Sequence, residues 1–321
     1  MSATISVVTS LYRSAPYLEE FYRRCVEALT RVGGDYEIVL VNDGSPDASL
    51  AIALQLRARD PRVRVIDLSR NFGHHKALMT GLRRATGDLV FLIDCDLEED
   101  PAWLVDFHAV MRDTGADVVY GVQQARKGNW FERTSGNAFY ALFNHLLTHP
   151  IPRNVITVRL MTRRYVRALV RHRDRELCLA GIWAITGFEQ RPVQVAKGSR
   201  AGSTYSLRRK ISVFVNALTS FSNRPLIYIF QIGIGVMLLS ASAGAVLLYR
   251  SVTGRIGVPG WASIMVSIWF LGGLTIFCVG VIGIYLAKVF TETKRRPYTV
   301  VRADHGGPGD PDVSRSIGER R

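Results

Sequence analysis

Cysteine is scarce. The four in this 321-residue chain, Cys25, Cys95, Cys178 and Cys278, show no CxxC spacing and no pairing framework. That excludes a thiolate zinc site and a disulfide-stapled scaffold, and leaves the four as packing residues of a reducing compartment. No repeat with a period of roughly 20 to 50 residues is present, which excludes a solenoid. No secretory signal stands at the N-terminus, where Met1-Ser2-Ala3-Thr4-Ile5 runs directly into a strand-like segment, so the large N-terminal part is expected to stay in the cytosol. Aromatic platforms interleaved with a basic groove are missing too, so the net charge of +14 does not read as nucleic-acid binding. An anionic membrane surface and phosphorylated substrates are the partners that remain.

Charge itself is missing from two long stretches, residues 226–249 and 257–287, in a chain that is 48% hydrophobic. Each exceeds the roughly 20 residues a helix needs to cross a bilayer. Two transmembrane helices are therefore expected. Arg200, Arg208, Arg209, Lys210 and Arg224 precede the first, Lys288, Lys294, Arg295 and Arg296 follow the second, and the connecting loop offers only Arg250 and Arg255. By the positive-inside rule both ends face the cytosol.

What is present before the spans is an alternation. Ile5 to Ser10, Tyr36 to Asn42, Val63 to Leu68, Asp88 to Ile93 and Asp117 to Tyr120 are short Val- and Ile-rich runs. Helix-forming segments separate them, over Pro16 to Arg31, Asp47 to Arg59, His74 to Ala85 and Pro101 to Thr114. The pattern predicts a parallel α/β sheet with helices on both faces. In such sheets ligands bind beyond the carboxyl ends of the strands. Three polar clusters fall there: Asn42-Asp43-Gly44-Ser45, Arg70-Asn71-Phe72-Gly73-His74 and Asp94-Cys95-Asp96-Leu97-Glu98. Each has turn-forming residues, and the acidic pair has two readings, a cap on the following helix or a site for a divalent cation.

Beyond Gly121 the pattern loosens. Residues 130–147 carry Trp130, Phe131, Phe139, Tyr140, Leu142, Phe143 and Leu146 beside Arg126, Lys127 and Arg133, as in a helix at the bilayer interface or one packed into the core. Residues 206–221 offer a second interfacial helix. Arg159, Arg163, Arg164, Arg167, Arg171 and Arg173 form a basic run whose period predicts a solvated or headgroup-facing helix. From Asp304 to Arg321 the chain is rich in Gly, Pro and charge and is expected to be disordered.

Taken together, these motifs resemble the metal-dependent family 2 glycosyltransferases that act on polyprenyl phosphates, such as dolichol-phosphate mannose synthase and bacterial bactoprenol glucosyltransferases. The resemblance runs from Ser6 to about Arg302. It rests on Val41-Asn42-Asp43-Gly44-Ser45, Leu68-Ser69-Arg70-Asn71-Phe72-Gly73-His74, Asp94-Cys95-Asp96-Leu97-Glu98, Val119-Tyr120-Gly121-Val122, Arg159-Leu160-Met161 and Phe221-Ser222-Asn223-Arg224-Pro225-Leu226. It implies a GT-A, Rossmann-like α/β catalytic domain over residues 1–207, a juxtamembrane amphipathic helix over 208–224, two transmembrane helices within 225–289 and a cytosolic tail, partly disordered, over 290–321.

The resemblance also implies roles. Asp43 binds the nucleotide base, with Asn42, Arg70 and Asn71 shaping its pocket. Asp94, Asp96 and Glu98 hold Mg²⁺ or Mn²⁺ against the donor pyrophosphate, which Arg200 also contacts. Arg133 and Asn137 grip the acceptor phosphate. Where relatives often carry Gln, Glu98 stands here; Gln123 replaces an arginine, which shifts acceptor contact to Arg126 or Lys127. Thr157 replaces an Asp, and Gly202-Ser203-Thr204-Tyr205 lacks a lysine for which Lys197 compensates. The implied reaction is inverting transfer of one sugar from a UDP- or GDP-sugar to undecaprenyl phosphate at the bacterial inner membrane, for cell-envelope glycan assembly. A homo-oligomer, with a tetramer as the candidate assembly, is implied as well. The rivals are a processive polysaccharide synthase and a non-catalytic, membrane-anchored scaffold that binds nucleotide sugars.

Overall fold

A strand buried at every position has no solvated face and must lie between two layers. Ile5–Leu11 (β1) is such a strand, as is Val63–Leu68 (β3), and Tyr36–Asn42 (β2) is buried from Ile38 onward. In the computed structural model, which describes residues 3–123, 154–174, 177, 179–196, 224–253, 261–294 and 296–307, these three strands and Leu89–Leu92 (β4) pair in parallel in the order β3-β2-β1-β4. Their crossovers are the helices Leu18–Val32 (α1), Ser49–Arg59 (α2) and His74–Arg84 (α3). Trp103–Thr114 (α4) then leads to the strand Val118–Gln123 (β5).

Alternation along each strand decides what lies on each face. Val7, Ile38, Leu40 and Phe91 join a core with Leu18, Phe21 and Cys25 of α1 and with Leu104 and Phe107 of α4. The intervening residues face α3. A Cβ on Gly81 of that helix would sit 2.6 Å from Val8 and 2.9 Å from Val41, so glycine there sets the close approach of α3 to the sheet.

The sheet is mixed rather than wholly parallel. Its order is β7-β5-β6-β4-β1-β2-β3-β8. Strand Val155–Thr162 (β6) runs antiparallel to both β4 and β5, Gln190–Val195 (β7) runs parallel to β5 at one edge, and Val301–His305 (β8) runs antiparallel to β3 at the other.

Two expectations change here. The basic run is not one helix: Arg159 lies inside β6, and the helix Arg163–Leu169 (α5) begins only after Thr162 accepts the N–H of Tyr165 as its cap. Arg163 is half-buried and donates to the carbonyl of Ala85, while Arg164 stays exposed and pairs with the buried carboxylate of Asp117. The tail differs as well, because Asp304 and His305 belong to β8. Arg64 donates from Nε and Nη2 to the two oxygens of Asp304 at 2.8 and 2.9 Å, and Arg84 adds a second cation. Charges that look like a solvated tail are, in space, a clamp.

A short helix, Leu179–Thr186 (α6), precedes β7. The chain divides into two compact units, the second comprising residues 141–150 and 206–295. Within it lie two long helices, Arg224–Val252 (α7) and Trp261–Thr293 (α8). Among the described residues one stretch is long and apolar enough to cross a membrane, Phe270–Thr293, with a mean hydropathy of 2.2, while Leu226–Val236 is apolar but shorter.

Removing Asp304 strands the nearly buried Arg64 without its carboxylate. Asp304→Ala is expected to cost about 2 kcal/mol, the range for loss of one partner of a partly buried charged hydrogen bond. Thermal or denaturant unfolding measures it, and an unchanged midpoint would show that β8 contributes nothing to the domain.

Candidate active site

Strands β2 and β4 flank β1, so the connections leave the sheet in opposite directions there. That is a topological switch point, where a crevice opens beyond the strand ends. The loops after β1, β2, β3 and β4 all end at this rim.

Asp43 is almost wholly buried, at 1% exposure, which only a well-partnered carboxylate tolerates. Its Oδ1 accepts the N–H of Phe72 at 2.7 Å and its Oδ2 that of Gly73 at 2.9 Å. The end of β2 is thereby tied to the loop that opens α3. Gly44 adds a steric condition. With φ at +57°, a Cβ here would lie 2.5 Å from the backbone of both Arg70 and Asn71. The two loops touch, and only glycine fits between them. Asn42 donates to Asp67 at 2.8 Å and accepts from the N–H of Ser45 at 3.3 Å. Arg70 is exposed, its guanidinium 4.3 Å from the centre of the Phe72 ring. Asn42, Asp43, Arg70 and Asn71, expected together from sequence, do meet at this rim.

The acidic loop is not a helix cap. Helix α4 starts at Trp103 with Ala102 before it and no side-chain cap. Asp94 instead places Oδ1 3.2 Å from Nε2 of His74, whose Nδ1 is 2.8 Å from the Ser10 hydroxyl. Burial pulls the His74 pKa down, but the hydrogen bond and charge of Asp94 outweigh it and leave it raised. Asp96 closes a tight turn by accepting the N–H of Glu98 at 3.0 Å, with Leu97 at a φ of 63°. Strained non-glycine residues such as Leu97, and Arg13 at 55° after β1, concentrate at functional rims.

Among the described residues no three His, Cys, Asp or Glu side chains gather about a point suited to a metal ion. The side chains of the expected trio Asp94, Asp96 and Glu98 do not converge on one point: Asp94 turns to His74 and Asp96 to its own loop. The donor chemistry still fits a hard cation, because Mg²⁺ and Mn²⁺ take one or two carboxylates and complete their shell with water and substrate phosphates. Arg126, Lys127, Arg133, Asn137 and Arg200, like the interfacial helices over 130–147 and 206–221, lie outside the described residues.

Glu99 was hidden in sequence among Glu98 and Asp100. It is fully buried, accepting the N–H of Asp94 at 3.4 Å and that of Thr157 at 3.1 Å, and so ties the acidic loop to β6. Behind it Arg159, 1% exposed, lies over the Trp183 ring and donates to the carbonyls of Ile156 and Thr157. Burial pulls its pKa down to about 9, against the pull of Tyr165 and Glu99. Cys95 is a packing residue as expected, its thiol donating to the carbonyl of Ser10 and buried enough to be pushed up to about 11.

The mixed α/β sheet, with an acidic loop at its switch point, is of the GT-A-like kind. The sequence profile of Glycosyl transferase family 2 matches residues 6–170. A chain of Mycobacterium tuberculosis (strain CDC 1551 / Oshkosh), named only for the glycosyltransferase class, is 52% identical over 302 residues, covering 94% of this chain and 88% of its own. The SfII prophage-derived bactoprenol glucosyl transferase of Shigella flexneri is 32% identical over 306 residues, 94% of this chain and 99% of its own. An uncharacterized glycosyltransferase of Synechocystis sp. (strain ATCC 27184 / PCC 6803 / Kazusa) is 34% identical over 94% of this chain and 95% of its own. The chain belongs to glycosyl transferase family 2, and it is a glycosyltransferase.

Gly44→Ala forces the β2 and β3 loops apart. Donor affinity is expected to fall roughly ten- to a hundred-fold, the scale of an ångström-sized misplacement at a site, while far-ultraviolet circular dichroism stays as in the parent. Nucleotide titration of the purified variant checks this; undiminished affinity would show that the two loops do not form the donor pocket.

Proposed function

We propose that the protein transfers one sugar from a UDP- or GDP-sugar to undecaprenyl phosphate or a similar polyprenyl phosphate, with inversion, at the cytosolic face of the bacterial inner membrane. The observation that carries this reading is the near full-length match to a bactoprenol glucosyl transferase, which takes in the long apolar helices as well as the catalytic domain.

The chemistry suits the residues. A lipid phosphate is already an anion at neutral pH, so its attack on the anomeric carbon needs no strong general base. Holding the two phosphorylated substrates in line and neutralising their charge are what the protein must supply. Asp43, with Asn42, Arg70 and Asn71, would hold the nucleoside at the β2–β3 rim. Asp94 and Asp96 would hold the divalent cation, with Glu98 beside them. Bound there, Mg²⁺ or Mn²⁺ supplies Lewis-acid neutralisation of the departing diphosphate. Arg200 would contact that diphosphate, and Arg133 with Asn137, aided by Arg126 and Lys127, would hold the acceptor phosphate through charge-assisted hydrogen bonds.

Connectivity supports a two-span anchor. Strand β8 follows the apolar segment and pairs with β3 of the catalytic sheet, so the chain leaves and re-enters on the same side. The number of crossings is then even. With Phe270–Thr293 as one span, helix α7 would be the other.

Purified full-length protein in detergent, given undecaprenyl phosphate, Mg²⁺ or Mn²⁺ and a panel of sugar nucleotides, is expected to form a lipid-linked monosaccharide. Asp96→Asn should lower turnover by roughly a hundred- to a thousand-fold, as loss of an electrostatic stabiliser does, without lowering the melting temperature. No lipid-linked product from any sugar nucleotide would refute the reading, and full turnover by the variant would remove the acidic loop from it.

A further inference from the structure

The strand that returns after the apolar helices does more than cover a sheet edge. Arg302 of β8 extends along the end of β3, where Nη2 donates to the carbonyl of Ser69 at 2.7 Å and Nη1 lies 3.5 Å from Oδ2 of Asp67. The other oxygen of Asp67 accepts the side-chain amide of Asn42 at 2.8 Å. Asp67 is buried, whereas Arg302 is 60% exposed and reaches in from outside. The N–H of Ser69 donates to the carbonyl of Val300 at 2.9 Å, so Arg302 and the residue leading into β8 grip both backbone groups of the residue just before Arg70-Asn71. The β3–β8 register shifts between Asp67 and Leu68, which marks this as the point where the strand bends into the loop.

One guanidinium therefore touches the supports of two donor-side loops. On one branch Arg302 holds Ser69, and through it the start of the loop bearing Arg70 and Asn71. On the other it holds Asp67, and through it Asn42, whose carbonyl oxygen in turn fixes the N–H of Ser45. The far end of β8 is secured separately, by Asp304 on Arg64 and Arg84. Strand docking and loop positioning are thus assigned to different residues of the same five-residue strand.

We infer that Arg302 is a positioning residue for the nucleotide-sugar donor: acting through Asp67 and Ser69, it sets the geometry of the Asn42 and Arg70-Asn71 loops without touching the substrate. The inference rests on the donor site proposed above. Its consequence is that the donor pocket is completed by a strand lying after the apolar helices in sequence.

The test uses the full-length protein and its sugar nucleotide. Arg302→Met keeps the aliphatic stem and removes the guanidinium; the donor KM is expected to rise roughly ten-fold, as the charged hydrogen bond to the Ser69 carbonyl and the ion pair with buried Asp67 are lost together. Turnover at saturating donor should stay within about two-fold and the KM for polyprenyl phosphate should not move, since only ground-state donor binding is weakened. Arg302→Lys, which restores a cation beside Asp67, should recover part of the affinity. Asp304→Ala is the control for strand docking alone and should lower the melting temperature more than Arg302→Met does. An unchanged donor KM in Arg302→Met overturns the inference. So does a fall in melting temperature and active fraction with the donor KM unmoved, which is what a purely structural role would give. If the parent protein makes no lipid-linked sugar, the proposed function fails instead, and direct titration of the nucleoside diphosphate with Mn²⁺ against parent and Arg302→Met still decides the role of Arg302.

Discussion

The buried carboxylate of Asp43 is the interaction on which the rest of the rim depends. It draws two backbone N–H groups of the β3–α3 loop onto the end of β2, and a charge so deeply buried is sustained only by such partners. Gly44 then lets the two loops come into backbone contact, and Asn42 carries the same junction down to Asp67. Arg70 and Asn71 are displayed where they are because the loop beneath them is pinned from both sides. The switch point of a parallel sheet makes a crevice; these polar ties give the crevice a fixed wall.

The opposite wall is built on a similar plan with a different carboxylate. Glu99 bonds the backbone of Asp94 to that of Thr157, and Arg159 lies behind it over the Trp183 ring. Groups this deeply buried are strongly destabilising when left unpartnered, so both hold their neighbours in place. Asp94 and Asp96 beside Glu99 are half-buried and lightly engaged. Asp94 engages His74, and Asp96 shapes its own turn, an arrangement suited to carboxylates that meet a cation only together with substrate phosphates.

Much of this was legible in the residues. The runs Tyr36–Asn42 and Val63–Leu68 have the sequence boundaries of the strands themselves, because strands covered on both faces are dominated by Val, Ile and Leu, and the charges inside β3, Arg64 and Asp67, are paired. The polar clusters that end them were legible because they break the apolar pattern at the strand ends; their ties to one another, such as Asp43 to Phe72 and Gly73, were not. Strand β6 was masked by Arg159, a charge whose partners, the Trp183 ring and two carbonyls, sequence spacing does not reveal. Pro192 hid β7, although proline is tolerated where the structure puts it, on an edge strand. Strand β8 looked like a solvated tail because its partners Arg64 and Arg84 stand more than two hundred residues away. Glu99 was lost in a run of acids whose members differ only in the direction they face. Long-range ion pairs and buried charges, rather than apolar pattern, account for what the sequence concealed.

Binding of a nucleotide sugar at the rim joining β1, β2, β3 and β4 is the proposal on which the function rests. Thermal unfolding of the full-length protein in the presence of Mn²⁺ and individual sugar nucleotides tests it most directly, because a ligand that binds only the folded state must raise its stability. A concentration-dependent rise in melting temperature is expected with a UDP- or GDP-sugar, and its loss in Gly44→Ala. No shift with any sugar nucleotide, or an equal shift in the variant, would contradict it.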